Sequence, residues 1–270
     1  VSIVVLVAIG VLTGLTTVLF GFGGGFVTVP VIVWVNAALG ADAMHTAVAT
    51  SAIVMVVNAG IATAATRRDV LGALRGSAAL VALLGCGAVL GALAARWVPS
   101  PVTQWAFVGY LVLTIGDLLA RPGFLGRQPS DGPAAPDVAS GIPRVLGLPI
   151  GALAAFLGVG GSVMTVPLLR RSGHPMRTAT ALANPLTLVI AAPATAVFLL
   201  DHAAPGAGSP GTVLLLGAVD VGAGAALLAG ALPVIVALRR RPPRIPDRVH
   251  AWSYLLLLVA VTAAMAVSAL

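Results

Sequence analysis

The chain has no lysine and no glutamate: all fifteen of its basic residues are arginine and all eight of its acidic residues are aspartate. A GC-rich coding sequence accounts for that bias without a functional reading. Charge of either sign is scarce, 9% of the 270 residues, where soluble domains carry roughly a quarter. The single cysteine, Cys86, excludes an internal disulfide and says nothing about redox compartment. Cys86 between two glycines reads as a small packing residue. No P-loop pattern is present, which argues against ATP drive within this chain. No Ser–His–Asp spacing or His–Glu cluster points to an enzyme. His45, His174, His202 and His250 are too scattered for a metal site, so neither metal nor cofactor is expected. Nothing around Val1 reads as a cleavable leader.

What the sequence has instead is apolar length. Hydrophobic residues make up 59% of the chain, and mean hydropathy is +1.07. Runs near the ~20 residues needed to cross a bilayer follow one another from end to end, the pattern of an all-α polytopic membrane protein. The +7 net charge lies mainly on arginines in loops, where membrane topology explains it, and no nucleic-acid partner is expected.

Two decapeptides interrupt the apolar runs: Gly21-Phe-Gly-Gly-Gly-Phe-Val-Thr-Val-Pro30 and Gly158-Val-Gly-Gly-Ser-Val-Met-Thr-Val-Pro167 agree at six positions. Each places helix-breaking backbone at membrane depth, tolerated only where it is buried in protein or lines a polar cavity. Paired breaks in two halves point to a transporter's binding site. In the first half, apolar segments at 1–20 and 26–37 flank the break, followed by spans near 44–65, 70–95 and 102–120. In the second, 145–157 and 163–169 flank it, with spans near 179–200, 211–238 and 250–270. The division is therefore a membrane repeat at 1–120, a Pro- and Gly-rich linker at 121–144, and a second repeat at 145–270.

Arginine positions decide the topology. With each broken unit as one continuous crossing, the arginines divide poorly between the two sides. With each unit a hairpin that returns to its own side, all loop arginines except Arg96 share one side, with Arg75 just inside a span near it; the positive-inside rule makes that side cytoplasmic. The expected architecture is two inverted-topology repeats, each a glycine-broken helical hairpin plus three transmembrane helices. The 1–20 segment is long for half a hairpin and would have to tilt.

Gly21, Gly23, Gly24, Gly25, Gly158, Gly160 and Gly161 allow tight turns and expose N–H groups to an anion at the following helix N-terminus; close helix packing is the alternative. Pro30 and Pro167 fit the first turn of those helices. Ser162 stands in the second copy where the first has Gly25. Thr50, Ser51 and Asn184 offer uncharged donors to an oxyanion, or interhelical hydrogen bonds. Asn58 and Thr187 lie further along the same spans. Asp220, about nine residues into an apolar run, is a candidate proton-coupling residue, with Leu83 opposite it in the first half. His45, beside Asp42 and Thr46, is a second coupling candidate. Trp34, Trp97, Trp105 and Trp252 suit interfacial anchoring, with Trp34 also placed to border a cavity.

The paired G-x-G-G-[GS]-x(4)-P segments, each followed about twenty residues later by an Ala-rich A-T-S-like segment, resemble the TauE/SafE family of membrane permeases, the sulfite exporters. The resemblance covers the chain apart from the linker. It implies a multi-pass protein of the cytoplasmic (inner) membrane that transports a small anion, sulfite or a related organosulfonate. Asn184-Pro185 stands where the pattern has Thr-Ser. The expected mechanism is alternating access between the repeats, with a passive anion channel or an intramembrane enzyme as alternatives. The expected partners are the anion, membrane lipid and a coupling proton, and the small-residue-rich outer faces permit a homodimer.

Overall fold

A computed structural model describes residues 3–36, 42–121, 123–125, 142–201, 215–241 and 243–269. Most of the linker, the Gly40 turn and His202 lie outside these. Eleven helices occur among the described residues. In the first half they are α1 (Ile3–Phe20), α2 (Gly25–Val35), α3 (Ala43–Ala64), the short α4 (Arg68–Leu71), α5 (Ala78–Ala95) and α6 (Ser100–Ala120). In the second they are α7 (Gly147–Leu157), α8 (Ser162–Arg171), α9 (Met176–Leu199), α10 (Val221–Arg240) and α11 (Asp247–Ala269). Seven are long and apolar enough to span a membrane: α1, α3, α5, α6, α9, α10 and α11. The protein is an all-α polytopic membrane protein.

Several boundaries differ from those expected. The 70–95 span divides: α4 and a 3₁₀ turn run to Arg75, Gly76 adopts φ 81°, and the spanning helix begins only at Ala78. The 211–238 span starts late. Strands β1 (Leu215–Leu216) and β2 (Val219–Asp220) form a two-stranded hairpin, and α10 begins at Val221. At the tip of that hairpin a Cβ on Gly217 would approach the Phe198 carbonyl at 2.6 Å, so glycine lets this turn sit on the end of α9. Segment 1–20 forms an 18-residue helix, about 27 Å long, while its counterpart α7 has 11 residues. The helices that lead into the two glycine loops are thus unequal.

Packing repeats between the halves. α1 lies along α10, and α7 along α5; α2 packs on α3, and α8 on α9; α3 and α9 meet each other, as do α6 and α11. Exchanging the halves reproduces this pattern. Small residues set the closest approaches: Gly10 and Gly14 face the carbonyls of Leu227 and Ala231, while Gly147 and Gly151 face those of Leu80 and Leu84. These glycines precede Gly21 and Gly158 by equal spacings. Close backbone contact at small residues is how helices associate in lipid, where no hydrophobic force draws them together. The same register pairs Leu83, beside Gly147, with Gly230, beside Gly10; Leu83 is not the counterpart of Asp220.

The scarce aromatic residues gather behind the first glycine loop. Phe22 stacks on Phe26 with centroids 4.7 Å apart and lies 5.1 Å from Tyr254, which also meets Phe20 and Phe124. Trp34, Trp97, Trp105 and Trp252 are 48–86% exposed, so Trp34 looks outward rather than into a cavity. Cys86 is exposed as well, and its neighbour Gly87 makes the close packing contact with the Leu148 carbonyl.

The ends of the bundle differ in charge. At one, Asp201 after α9 pairs with Arg96 after α5 at 2.7 Å and with His45 of α3 at 3.1 Å. Arg67, Arg177 and Arg239 line a shared cavity at the other end, and the Arg171–Asp117 (2.7 Å) and Arg170–Asp247 ion pairs join α8 to α6 and α11.

Candidate functional site

The two glycine loops meet in the interior, between α3 and α9. Gly21 and Gly158 have φ of 73° and 69°, and Gly23 and Gly160 have φ of 63° and 70°. Only glycine adopts such angles readily, so the repeated motif encodes a repeated backbone bend. The copies then diverge: Gly24 has φ 90°, whereas Gly161 has φ −75°. A Cβ on Gly25 would stand 2.8 Å from the Gly158 carbonyl oxygen, and one on Gly160 3.4 Å from that of Phe22. Met55 touches Gly23, Gly25 and Gly160, and the Thr187 methyl touches Gly23 and Gly160. Residues 21–25 and 158–162 are all buried.

Each loop is held by the other half. Ser51 on α3 donates to the Gly158 carbonyl at 3.0 Å, sharing its proton with Val48 O at 2.7 Å. Thr187 on α9 donates to the Gly21 carbonyl at 3.4 Å. Pro30 and Pro167 lie inside α2 and α8, not in the first turn as expected, because those helices already begin at Gly25 and Ser162. Pro167 has no N–H, which frees the Val163 carbonyl four residues back. The Tyr254 hydroxyl lies 3.4 Å from that carbonyl and 3.3 Å from that of Ser162, tying α8 to α11.

The expected donors are distributed unevenly. Thr50 accepts from the Asp220 main-chain N–H at 2.9 Å, and Ser51 is engaged by the second loop. Asn184 donates to the Thr180 carbonyl at 3.2 Å, leaving Oδ1 without a partner. Neither polar atom of Asn58 has a hydrogen-bond partner, nor do the hydroxyls of Ser162 and Thr165, and all of these residues are 0% exposed. Asn58 Nδ2 would lie 2.8 Å from a Cβ on Gly24. Buried polar groups are ordinarily satisfied; these orphans lie beside the loops, and others occur elsewhere, at Thr63, Ser77 and Thr195.

Asp220 is not within a helix, as its hydropathy setting implied. It caps the N-terminus of α10, its Oδ1 accepting from Ala223 N at 2.9 Å, while Oδ2 accepts from Asn36 Nδ2 at 3.1 Å. Asn36 is the C-cap of α2, so the carboxylate connects α2 to α10. His45 sits at the bundle end against Asp201, not Asp42. The Arg96 guanidinium holds the Asp201 carboxyl below the usual carboxylate range. Among the described residues no three His, Cys or Asp side chains stand together in a way that could hold a metal ion.

Met55, Asn36, Thr165 and Tyr254 belong to this site without having been singled out in the sequence. Thr165 carried a signal, as one of the six identities between the decapeptides; a methionine or an asparagine in an apolar run carries none.

The family model described as sulfite exporter TauE/SafE matches residues 6–265. No curated protein and no solved structure matches the chain.

Proposed function

The chain belongs to the sulfite exporter TauE/SafE family, and from that premise we propose that it carries a small oxyanion, sulfite or an organosulfonate, across the inner membrane between its two glycine loops. The observation that carries this reading is the meeting of both loops around Met55, each with buried, unpartnered polar groups beside it: Asn58 at the first, Ser162 and Thr165 at the second. An anion there would receive neutral donors and the leading N–H groups of α2 and α8, those ahead of Val27 and Met164, which are the first to bond back to the Gly24 and Gly161 carbonyls.

The exchange of packing partners between the halves supports an inverted repeat, with 121–144 joining the units. Collecting Arg67, Arg170, Arg171, Arg177 and Arg239 at one end and Arg96 at the other supports a cytoplasmic arginine-rich end. The loops touch around Met55, so passage requires them to part, as in a carrier. We assign coupling to Asp220 rather than His45: protonating its carboxylate weakens the Asn36 and Ala223 bonds, freeing α2 from α10.

The test is uptake of labelled sulfite into proteoliposomes, with and without a proton gradient, by the wild type, Asn58→Leu and Ser162→Ala. Saturable uptake reduced at least tenfold in folded Asn58→Leu supports the site. Absence of wild-type uptake for sulfite and a panel of sulfonates overturns the substrate class, and wild-type rates in both variants overturn the site.

A further inference from the structure

At the arginine-rich end, α1, the turn after α3, α4, α9, α10 and α11 surround a cavity of about 430 Å³ whose lining includes Arg67, Arg177, Arg239 and Asp69. Asp69 is already committed: Arg67 donates to both of its oxygens, at 3.1 and 2.8 Å. Arg177 is exposed. Arg239 differs from both. Its Nη1 makes one long bond to Thr66 Oγ1 at 3.4 Å, its Nε and Nη2 are buried without a hydrogen-bond partner, and among the described residues no carboxylate pairs with it. A partly buried guanidinium with no counter-charge is unfavourable. Nε and Nη2 are closed to water, so what the guanidinium presents to the cavity is its uncompensated charge, which favours an anion there.

The cavity also reaches Leu19 and Thr180. The Thr180 carbonyl is the group against which Gly21 packs, so the cavity floor adjoins the first glycine loop.

We infer that this cavity binds a tetrahedral or pyramidal oxyanion against the uncompensated charge of Arg239, with Arg177 at the rim, as an antechamber to the loops. The binding stands on the cavity and on Arg239; its place on a transport path rests on the function proposed above. The shared chemistry is an oxyanion, which a free sulfate-like ion or the phosphate of an anionic lipid could supply.

The experiment uses the full chain in nanodiscs, carrying Cys86→Ala and Thr178→Cys, the latter a reporter on the cavity wall. Labelling of the new thiol by N-ethylmaleimide, a neutral reagent, is timed with and without inorganic sulfate, in phosphatidylcholine and in phosphatidylglycerol. Sulfate is expected to slow labelling several-fold in phosphatidylcholine. Arg239→Gln, checked for unchanged thermal stability, abolishes that protection, and Arg239→Lys keeps part of it. Protection by phosphatidylglycerol alone, with none from sulfate, assigns the site to a lipid phosphate and overturns the antechamber. Protection by neither, or protection unaffected by Arg239→Gln, overturns the site. Adding Asn58→Leu separates the two readings, because it blocks transport at the loops and leaves the protection intact. Protection without any wild-type sulfite uptake removes only the place on the path.

Discussion

Asn58→Leu is expected to make the protein more stable and less active at once. The side chain is 0% exposed, and neither its amide nitrogen nor its carbonyl oxygen has a partner. Leaving such a group unsatisfied costs about 1–3 kcal/mol, and leucine, which has the same branched heavy-atom skeleton, removes the polar atoms without opening a cavity. At about 2 °C per kcal/mol for a chain of this size, the midpoint of thermal unfolding rises by roughly 2–6 °C. The same substitution removes a donor to a charged ligand, a loss of about 1.5–3 kcal/mol, or about 10- to 150-fold in affinity. Detergent-solubilised protein is heated with a fluorescent thiol or scattering readout, and concentration-dependent sulfite uptake is measured in proteoliposomes. A lowered midpoint together with lost transport refutes the reasoning, since the amide would then be holding the fold. A raised midpoint with unchanged uptake refutes it differently, since the orphan amide would then have no ligand.

Gly24→Ala is expected to cost about 1–3 kcal/mol from its left-handed φ alone, with further strain where the new Cβ meets Thr13 and Asn58. Gly161→Ala, at φ −75° and facing the mobile end of Ile190, costs less than half as much; equal losses in thermal unfolding would show that the loops are alike after all. Ser51→Ala frees the second loop and Thr187→Val the first, so substituted-cysteine labelling shifts in opposite senses for the two membrane faces, and shifts of one sense contradict the inverted arrangement. Asp201→Asn loosens the Arg96 and His45 contacts by about 1 kcal/mol. Because the Asp201 carboxyl is held below its usual range by Arg96, that contribution is complete above about pH 4 and disappears as pH falls through the lowered value. The stability gap between variant and wild type is therefore flat from about pH 5 to 8 and closes in stronger acid; a gap that opens only near neutrality points to another group. Asp220→Asn, an equally good N-cap, keeps the fold but loses the dependence of uptake on the proton gradient. Retained dependence moves coupling elsewhere.

The repeat was legible because it is written twice. Matched glycines with left-handed backbone, the apolar spans and the clustering of arginines all follow from local spacing and composition, which hydropathy preserves. What needed three dimensions was the use made of each polar atom. Ser51 and Thr50 look alike in a small-residue run, yet one holds Gly158 and the other receives the main chain of Asp220. The start of α10 was hidden because the residues before Asp220 are as apolar as those after it; the helix begins where Gly217 turns against the end of α9. Pro30 and Pro167 looked like helix starters since glycines precede them, but a glycine can itself begin a helix once its neighbours supply the bend.

The crossed bonds constrain how the halves can work. Each loop's leading carbonyl is bonded to a hydroxyl on the other half's long helix, and both loops press on Met55 and Thr187. A movement that parts the loops therefore breaks contacts belonging to both repeats, so neither loop opens without changing the surroundings of the other. Individually these bonds are weak, about 1 kcal/mol net each, and the unbranched Met55 can repack. Closure is thus shallow enough for a small anion to bias, provided it binds the parted arrangement more tightly than the closed one. In the proposed cycle the unpartnered groups at Asn58, Ser162 and Thr165 would supply that difference: they gain nothing while the loops are shut and would gain hydrogen bonds from an anion that stood between them. The polar atoms that weaken the closed fold would then be the ones that favour its opening on substrate.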